Sequence, residues 1–217
     1  MKKFTFAIEE GVIDVSPFKR GRGLVAASFE VERTRILTPA EETRLLAACQ
    51  DKRRSHILPI IIFALDTAAR RNELLACKWI DVNLTARSVR LRNKSANLES
   101  TRLAPITARL AELLTDLRRH STGRVTDRVF HVADFKKAWT TARKEAKIPD
   151  VHFHDLRHTA ITRMLEKGIP QPLVMKISGH TQLKTFLRYV NQSEASITEI
   201  AELLDRSSVI AIARRRE

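Results

Sequence analysis

Apolar residues recur at helical spacing along most of this 217-residue chain, and that periodicity constrains its fold more than any other feature. The clearest case runs from His56 to Thr67, where Leu58, Ile61, Ile62 and Leu65 share one helical face. Pro59 falls in its first turn, where a missing N–H is tolerated. Thr38-Pro-Ala-Glu41 has the form of a capping box with proline at the first helical position. It opens a helix whose apolar face carries Leu45, Leu46 and Cys49. Further helical patterns cover about Arg71–Trp79, Thr107–Leu117, Ala133–Ala146, His154–Lys167, Pro170–Ile177, Leu183–Tyr189 and Ser193–Leu204. One stretch breaks the rhythm. Ser88-Val-Arg-Leu-Arg92 alternates apolar and polar residues like a half-buried strand, and Thr101–Ile106 is its predicted hairpin partner across the polar connection Asn93–Ser100. The predicted class is therefore mainly α with a small antiparallel β-hairpin or sheet. Aromatics supply only 6% of residues against 43% hydrophobic overall, so the core must be mostly aliphatic.

The ends read differently from the middle. Residues 1–36 form an appendage: Asp14-Val-Ser-Pro17 is turn chemistry, and Lys19-Arg-Gly-Arg-Gly23 is a basic, flexible connection. A main domain is expected over 37–205, followed by a basic tail over 206–217 that contains Arg214-Arg-Arg216. Lys and Arg total 39 against 25 Asp and Glu, a formal net charge of +14. That excess favours a polyanionic partner, because each neutralised phosphate releases condensed counterions. The basic residues are scattered through the domain and not gathered on one amphipathic helix, which favours nucleic acid over membrane. Charge alone does not separate DNA from RNA. Cys49 and Cys77 make no close-spaced ligand pair and read as small buried hydrophobes. With no secretory leader pattern and no apolar run near about 18 residues, a reducing cytoplasmic setting is expected.

Several polar residues invite a chemical reading. His154 and Arg157 are three apart, so on a helix they share a face near its start, where free backbone N–H groups attract anions. Arginine offers a planar fork to phosphate oxygens, and histidine can donate to one or carry a proton. Arg70 follows an apolar helix, and Glu73 stands three residues on, placed to orient its guanidinium. Gly179 fits a helix C-cap that turns the chain and presents His180. Tyr189, the single tyrosine, closes the helix that His180 opens. Each feature alone has an ordinary structural explanation, and an isolated HxxR is most often a polar stretch of surface helix.

Taken in order, Leu65-Asp-Thr-Ala-Ala-Arg70-Arg-Asn-Glu73 through Trp79, His154-Asp-Leu-Arg157-His158-Thr159, and Ser178-Gly-His180-Thr through Tyr189 resemble the tyrosine recombinase (phage integrase) family over about residues 37–195. The resemblance implies that family's catalytic-domain fold and a DNA strand-breaking and rejoining enzyme with a covalent 3′-phosphotyrosine. It makes Tyr189 the nucleophile, Arg70, Arg157 and His180 the holders of developing charge, and His154 a general base. Lys94, in Asn93-Lys94-Ser95 on the hairpin connection, matches the family's lysine and would be the general acid. Glu73 would position Arg70, and Asp155 or His158 would support the HxxR helix. No cofactor and no metal are implied. The implied partner is double-stranded DNA, bound by a homotetramer on paired sites, with exchange of the C-terminal helix between protomers. The implied setting is a bacterial or phage-encoded protein at the nucleoid. Residues 1–36 would be the end of an N-terminal core-binding domain and its linker. A type IB topoisomerase-like relaxase and a non-catalytic DNA-binding regulator on the same scaffold are the alternatives.

Overall fold

The computed structural model describes residues 8–13, 35–92, 101–132 and 134–189, and the chain divides into two units, 1–33 and 34–217. In the first unit the described residues end a helical turn at Gly11, whose N–H donates to Ile8 O at 3.1 Å with φ at +69°. The predicted helix over 193–204, the tail over 206–217 and Lys94 lie outside the described residues.

The second unit begins with α1 (Pro39–Ala48), started as the sequence predicts: Glu41 N donates to Thr38 Oγ1 and Thr38 N to Glu41 Oε2 at 2.9 Å. A 3-10 turn over Ser55–Ile57 leads into α2 (Leu58–Thr67), which is buried from Pro59 onwards. A helix apolar on every side belongs at the centre of a domain, and α2 packs against both later helices α4 (Ala108–Arg119) and α6 (Asp155–Glu166). Between them come α3 (Arg71–Ala76), a 3-10 turn over Trp79–Asp81, and a three-stranded antiparallel sheet. Its order is β1 (Val82–Asn83), β2 (Ser88–Arg92), β3 (Thr101–Pro105), with Val89 opposite Ala104 and Leu91 opposite Arg102. The predicted hairpin is present, and β1 extends it.

The remaining helices are α5 (Lys136–Glu145), α7 (Gln171–Ser178) and α8 (Leu183–Phe186), the last continued as a 3-10 turn over Leu187–Tyr189. Two helices differ at one end from the sequence reading. The Arg71 helix stops at Ala76 because residues 77–80 pair with 125–129 instead: Val129 N donates to Cys77 O, Trp79 N to Asp127 O and Ile80 N to Val125 O. The Leu183 helix begins three residues after His180, so His180 sits in the corner before it and not in its first turn.

The main core gathers Leu45, Ile61, Phe63, Leu74, Leu91 and Leu110 among others, with Phe63 and Phe130 meeting edge to face at 5.3 Å. A smaller cluster of Ala68, Ala160, Ile161, Met164, Val174 and Phe186 lies beside it, and Tyr189 packs on its edge. Between α1, α2, α4 and α6, buried Glu42 and Asp66 are held by Arg109 and Arg163. Ile61 is fully buried on the central helix. Ile61→Ala should cost about 2–5 kcal/mol in urea unfolding, the usual range for emptying a well-packed core position.

Candidate active site

Helix α2 ends on Ala68, which takes the left-handed conformation at φ +53°. That turn exposes its carbonyl to two guanidiniums: Arg157 Nη1 donates to it at 2.6 Å and Arg102 Nη2 at 3.2 Å. Two residues on, Arg70 opens α3, and the Glu73 carboxylate accepts both the Arg70 backbone N–H and its Nη1 at 2.8 Å. Oε1 takes the Arg70 guanidinium, while Oε2 takes the Arg70 backbone N–H and also Arg102 Nη2 at 2.7 Å. Glu73 thus binds two arginines together, and those cations hold its pKa below the ordinary range against the opposing pull of burial.

The C-terminus of α7 meets the same three arginines. Its last carbonyls have no partners within the helix and carry the negative end of the helix dipole. Ile177 O accepts from Arg102 Nη1, Ser178 O from Arg157 Nη2 at 2.6 Å, and Gly179 O from Arg70 Nη2 at 3.3 Å. One carbonyl each, in consecutive order, fixes three cations. Arg157 and Arg102 are 2% and 9% exposed, whereas the Arg70 side chain is 38% exposed. Burial, then the neighbouring Arg70 and Arg102 charges, lowers the Arg157 pKa to about 9, which leaves it cationic at neutral pH. On Arg70 and Arg157 each terminal nitrogen makes one of these bonds and carries a second N–H, which leaves donors over for an anion.

Gly179 makes the corner possible. Its φ is +71°, and both Gly179 N and His180 N donate to Met175 O. A Cβ there would lie 2.8 Å from Arg102 Cδ and 3.1 Å from Arg102 Nε. Because Arg102 is held by Ile177, Ala68 and Glu73, that side chain cannot swing away without losing bonds.

The histidines form a stack leading to the tyrosine. His154 precedes α6 and is exposed; its ring meets His158 edge to face at 4.9 Å. His158 in turn lies 5.3 Å from the Tyr189 ring, and His180 and Phe186 each lie 5.7 Å from it. Burial first, and then neighbouring charge, pushes His158 and His180 down to about 4; His154, more open to solvent, is lowered too, by its partial burial and then by the Arg157 charge. For His180 the charges are Arg157, Arg70, Arg188 and Arg102. At neutral pH the site therefore combines cationic arginines with neutral imidazoles. A cleft of about 860 Å³ opens alongside, lined by Arg70, Arg90, Lys176 and His180 with apolar Leu103 and Leu173.

Of the residues singled out from sequence, the structure brings together Arg70, Glu73, Arg157, His154, His158, His180 and Tyr189. Asp155 is buried in the HxxR helix, where its carboxylate accepts His152 N at 2.8 Å and closes the turn before α6. Lys94 is not among the described residues. Sequence reasoning passed over Arg102 and Ser178. Arg102 had a readable signal: strand alternation puts it on the same inward face as Ala104, where a charge needs partners. Among the described residues no group of three His, Cys, Asp or Glu is placed to hold a metal, and no helix is long and apolar enough to cross a membrane.

The family model for the phage integrase family matches residues 35–196, and the chain belongs to that family. It is 34% identical to the shufflon-specific DNA recombinase of Escherichia coli, over 73% of this chain and 40% of that protein. It is 25% identical to the integrase of Salmonella phage P22, over 80% of this chain and 48% of that protein, so it spans about half or less of these relatives. Its fold is that of the catalytic domain of bacteriophage HP1 integrase, with a TM-score of 0.63 at 23% identity, covering 80% of this chain and 96% of that one.

Two outcomes test the geometry directly. Gly179→Ala should destabilise the protein by about 1–3 kcal/mol in urea unfolding, from the left-handed backbone and the displaced Arg102. The histidines set a pH dependence. Their folded pKa values, about 4, lie below the ordinary 6.5, so between those values the unfolded chain binds more protons. Stability should be complete above pH 6.5 and fall as pH drops towards 4. His158→Gln should flatten the fall between pH 7 and pH 5; an unchanged slope would show that His158 is not held neutral by the fold.

Proposed function

We propose that this chain carries the cutting portion of a site-specific DNA recombinase, which breaks and rejoins strands through a 3′-phosphotyrosine on Tyr189. The observation that carries the reading is the convergence of Arg70, Arg157, His154 and His180 with the Tyr189 ring at one corner of the fold. Membership of the phage integrase family supports it. So does the name of the Escherichia coli relative, a DNA recombinase. A structural neighbour, the Tn1549 transposon integrase, was solved in complex with transposon right end DNA and has a TM-score of 0.69 at 20% identity, over 93% of this chain and 75% of that one.

In this mechanism the Tyr189 oxygen attacks phosphorus and the bond to the 5′ oxygen breaks. His154, neutral at pH 7, takes the phenolic proton. Arg70, Arg157 and His180 stabilise charge on the non-bridging oxygens, an effect that fixed donors supply without reorganising. Lys94 gives a proton to the departing 5′ oxygen. The products are a 3′-phosphotyrosine and a free 5′-hydroxyl. One ester replaces another, so the 5′-hydroxyl of a second strand reverses the step without a nucleotide triphosphate. Residues 37–205 would form the catalytic domain and 1–36 part of a DNA-clamping domain. Two duplex sites would be joined by four copies exchanging C-terminal helices.

A nicked suicide substrate bearing a candidate crossover site checks the chemistry. The native chain should become covalently attached to DNA, Tyr189→Phe should not, and Arg70→Ala should slow attachment about 10²–10³-fold. Chelators should leave the rate unchanged. An adduct that persists in Tyr189→Phe would reassign the nucleophile.

A further inference from the structure

Ser178 is fully buried at the C-terminus of α7, and its carbonyl is fixed by Arg157. Its hydroxyl lies 2.8 Å from His180 Nδ1 and 3.3 Å from Met175 O. A hydroxyl has one proton to give. The contact to nitrogen is within the usual hydrogen-bond range, while the one to Met175 is beyond the usual separation of about 2.7–2.8 Å for an O–H···O bond. The better-placed acceptor is Nδ1.

That choice matters because His180 is neutral at physiological pH. It faces Arg157 from α6, Arg70 from the corner before α3, Arg102 from β3 and Arg188 from the turn after α8, with the Tyr189 ring beside it. A neutral imidazole has one N–H, and the hydrogen bond at one nitrogen decides which nitrogen carries it. If Nδ1 held the proton, Nε2 would turn a lone pair towards an incoming anion. With Nδ1 accepting from Ser178, Nε2 becomes the donor.

We propose that Ser178 is a positioning residue: its hydroxyl donates to Nδ1 of His180, holding the ring in one orientation as the Nε2–H tautomer. His180 then offers a hydrogen bond to a phosphate oxygen without being protonated. The assignment of phosphate as the anion rests on the proposed recombinase reading; the tautomer does not. Burial and the neighbouring cations make this arrangement useful, since together they suppress the imidazolium that would otherwise supply the donor.

Nitrogen-15 NMR of histidine-labelled protein reads the tautomer, with His180 assigned by comparison with His180→Gln. The native protein at pH 7 should show Nε2 protonated and Nδ1 unprotonated; a protonated Nδ1 would overturn the proposal. In Ser178→Ala the ring should exchange between tautomers, and suicide-substrate cleavage should slow about tenfold at unchanged DNA affinity, the loss of about one net hydrogen bond. Ser178→Thr, which keeps the hydroxyl, should restore both signals. A native-like tautomer and rate in Ser178→Ala would also overturn the proposal. If Ser178→Ala does not fold, the native spectrum still decides. Failure of the native chain to form any adduct would count against the recombinase reading and leave the tautomer measurement standing.

Discussion

The site depends on where one helix ends. Ile177, Ser178 and Gly179 present three successive carbonyls at the C-terminus of α7, and each accepts from a different arginine. A helix C-terminus is short of hydrogen bonds and partly negative; a cluster of guanidiniums is rich in donors and mutually repulsive. Each deficiency answers the other. The arrangement needs Gly179, because the left-handed corner and the close approach of Arg102 leave no room for a side chain. It also needs the left-handed Ala68, whose carbonyl binds Arg157 and Arg102 from the opposite side. Two chain corners, far apart in sequence, thus grip the same pair of buried cations.

Glu73 completes this balance. Burying a carboxylate with two guanidiniums does not by itself favour folding, since desolvation offsets much of the attraction. Its value lies in geometry: Glu73 spans Arg70 at the start of α3 and Arg102 on β3, tying the sheet to the helical face. Among the three arginines Arg70 is the most open to solvent, so the network fixes two cations out of sight and presents the third. Burial first, and then their combined field, keeps His180 neutral, which couples the charge of the arginines to the proton inventory of the site.

Much of this was legible in the sequence, for reasons that differ from element to element. The Thr38 cap, the apolar face of α2 and the pairing of 88–92 with 101–105 are local patterns, and local patterns survive into the fold. The helix from Arg71 was read too long because its competitor lies some fifty residues away: the 125–129 segment captures the backbone of Cys77, Trp79 and Ile80. Strand β1 is two residues long, too short for alternation to register. The resemblance at Arg70, His154, Arg157, His180 and Tyr189 pointed to one site, yet it did not reveal what holds them. Arg102 escaped because its role is visible only when Ala68, Glu73 and Ile177 meet around it. Ser178 escaped because its hydroxyl finds His180 only through the left-handed turn at Gly179.

The nucleophile candidate meets the cationic corner partly through its ring. The arginines are fixed by directional bonds to backbone carbonyls, which tolerate little displacement. Tyr189 rests on ring contacts with His158, His180 and Phe186, at the end of a helix only one turn long. Phe186 is the fully buried anchor of that helix, while Leu183 and Leu187 on either side of it are exposed. Ring contacts at 5–6 Å are worth roughly 0.5–1.5 kcal/mol each and fall off gently with angle. The cationic corner and the Tyr189 ring therefore meet through two kinds of contact, and buried Phe186 joins the short helix to the same apolar cluster that holds Ala68.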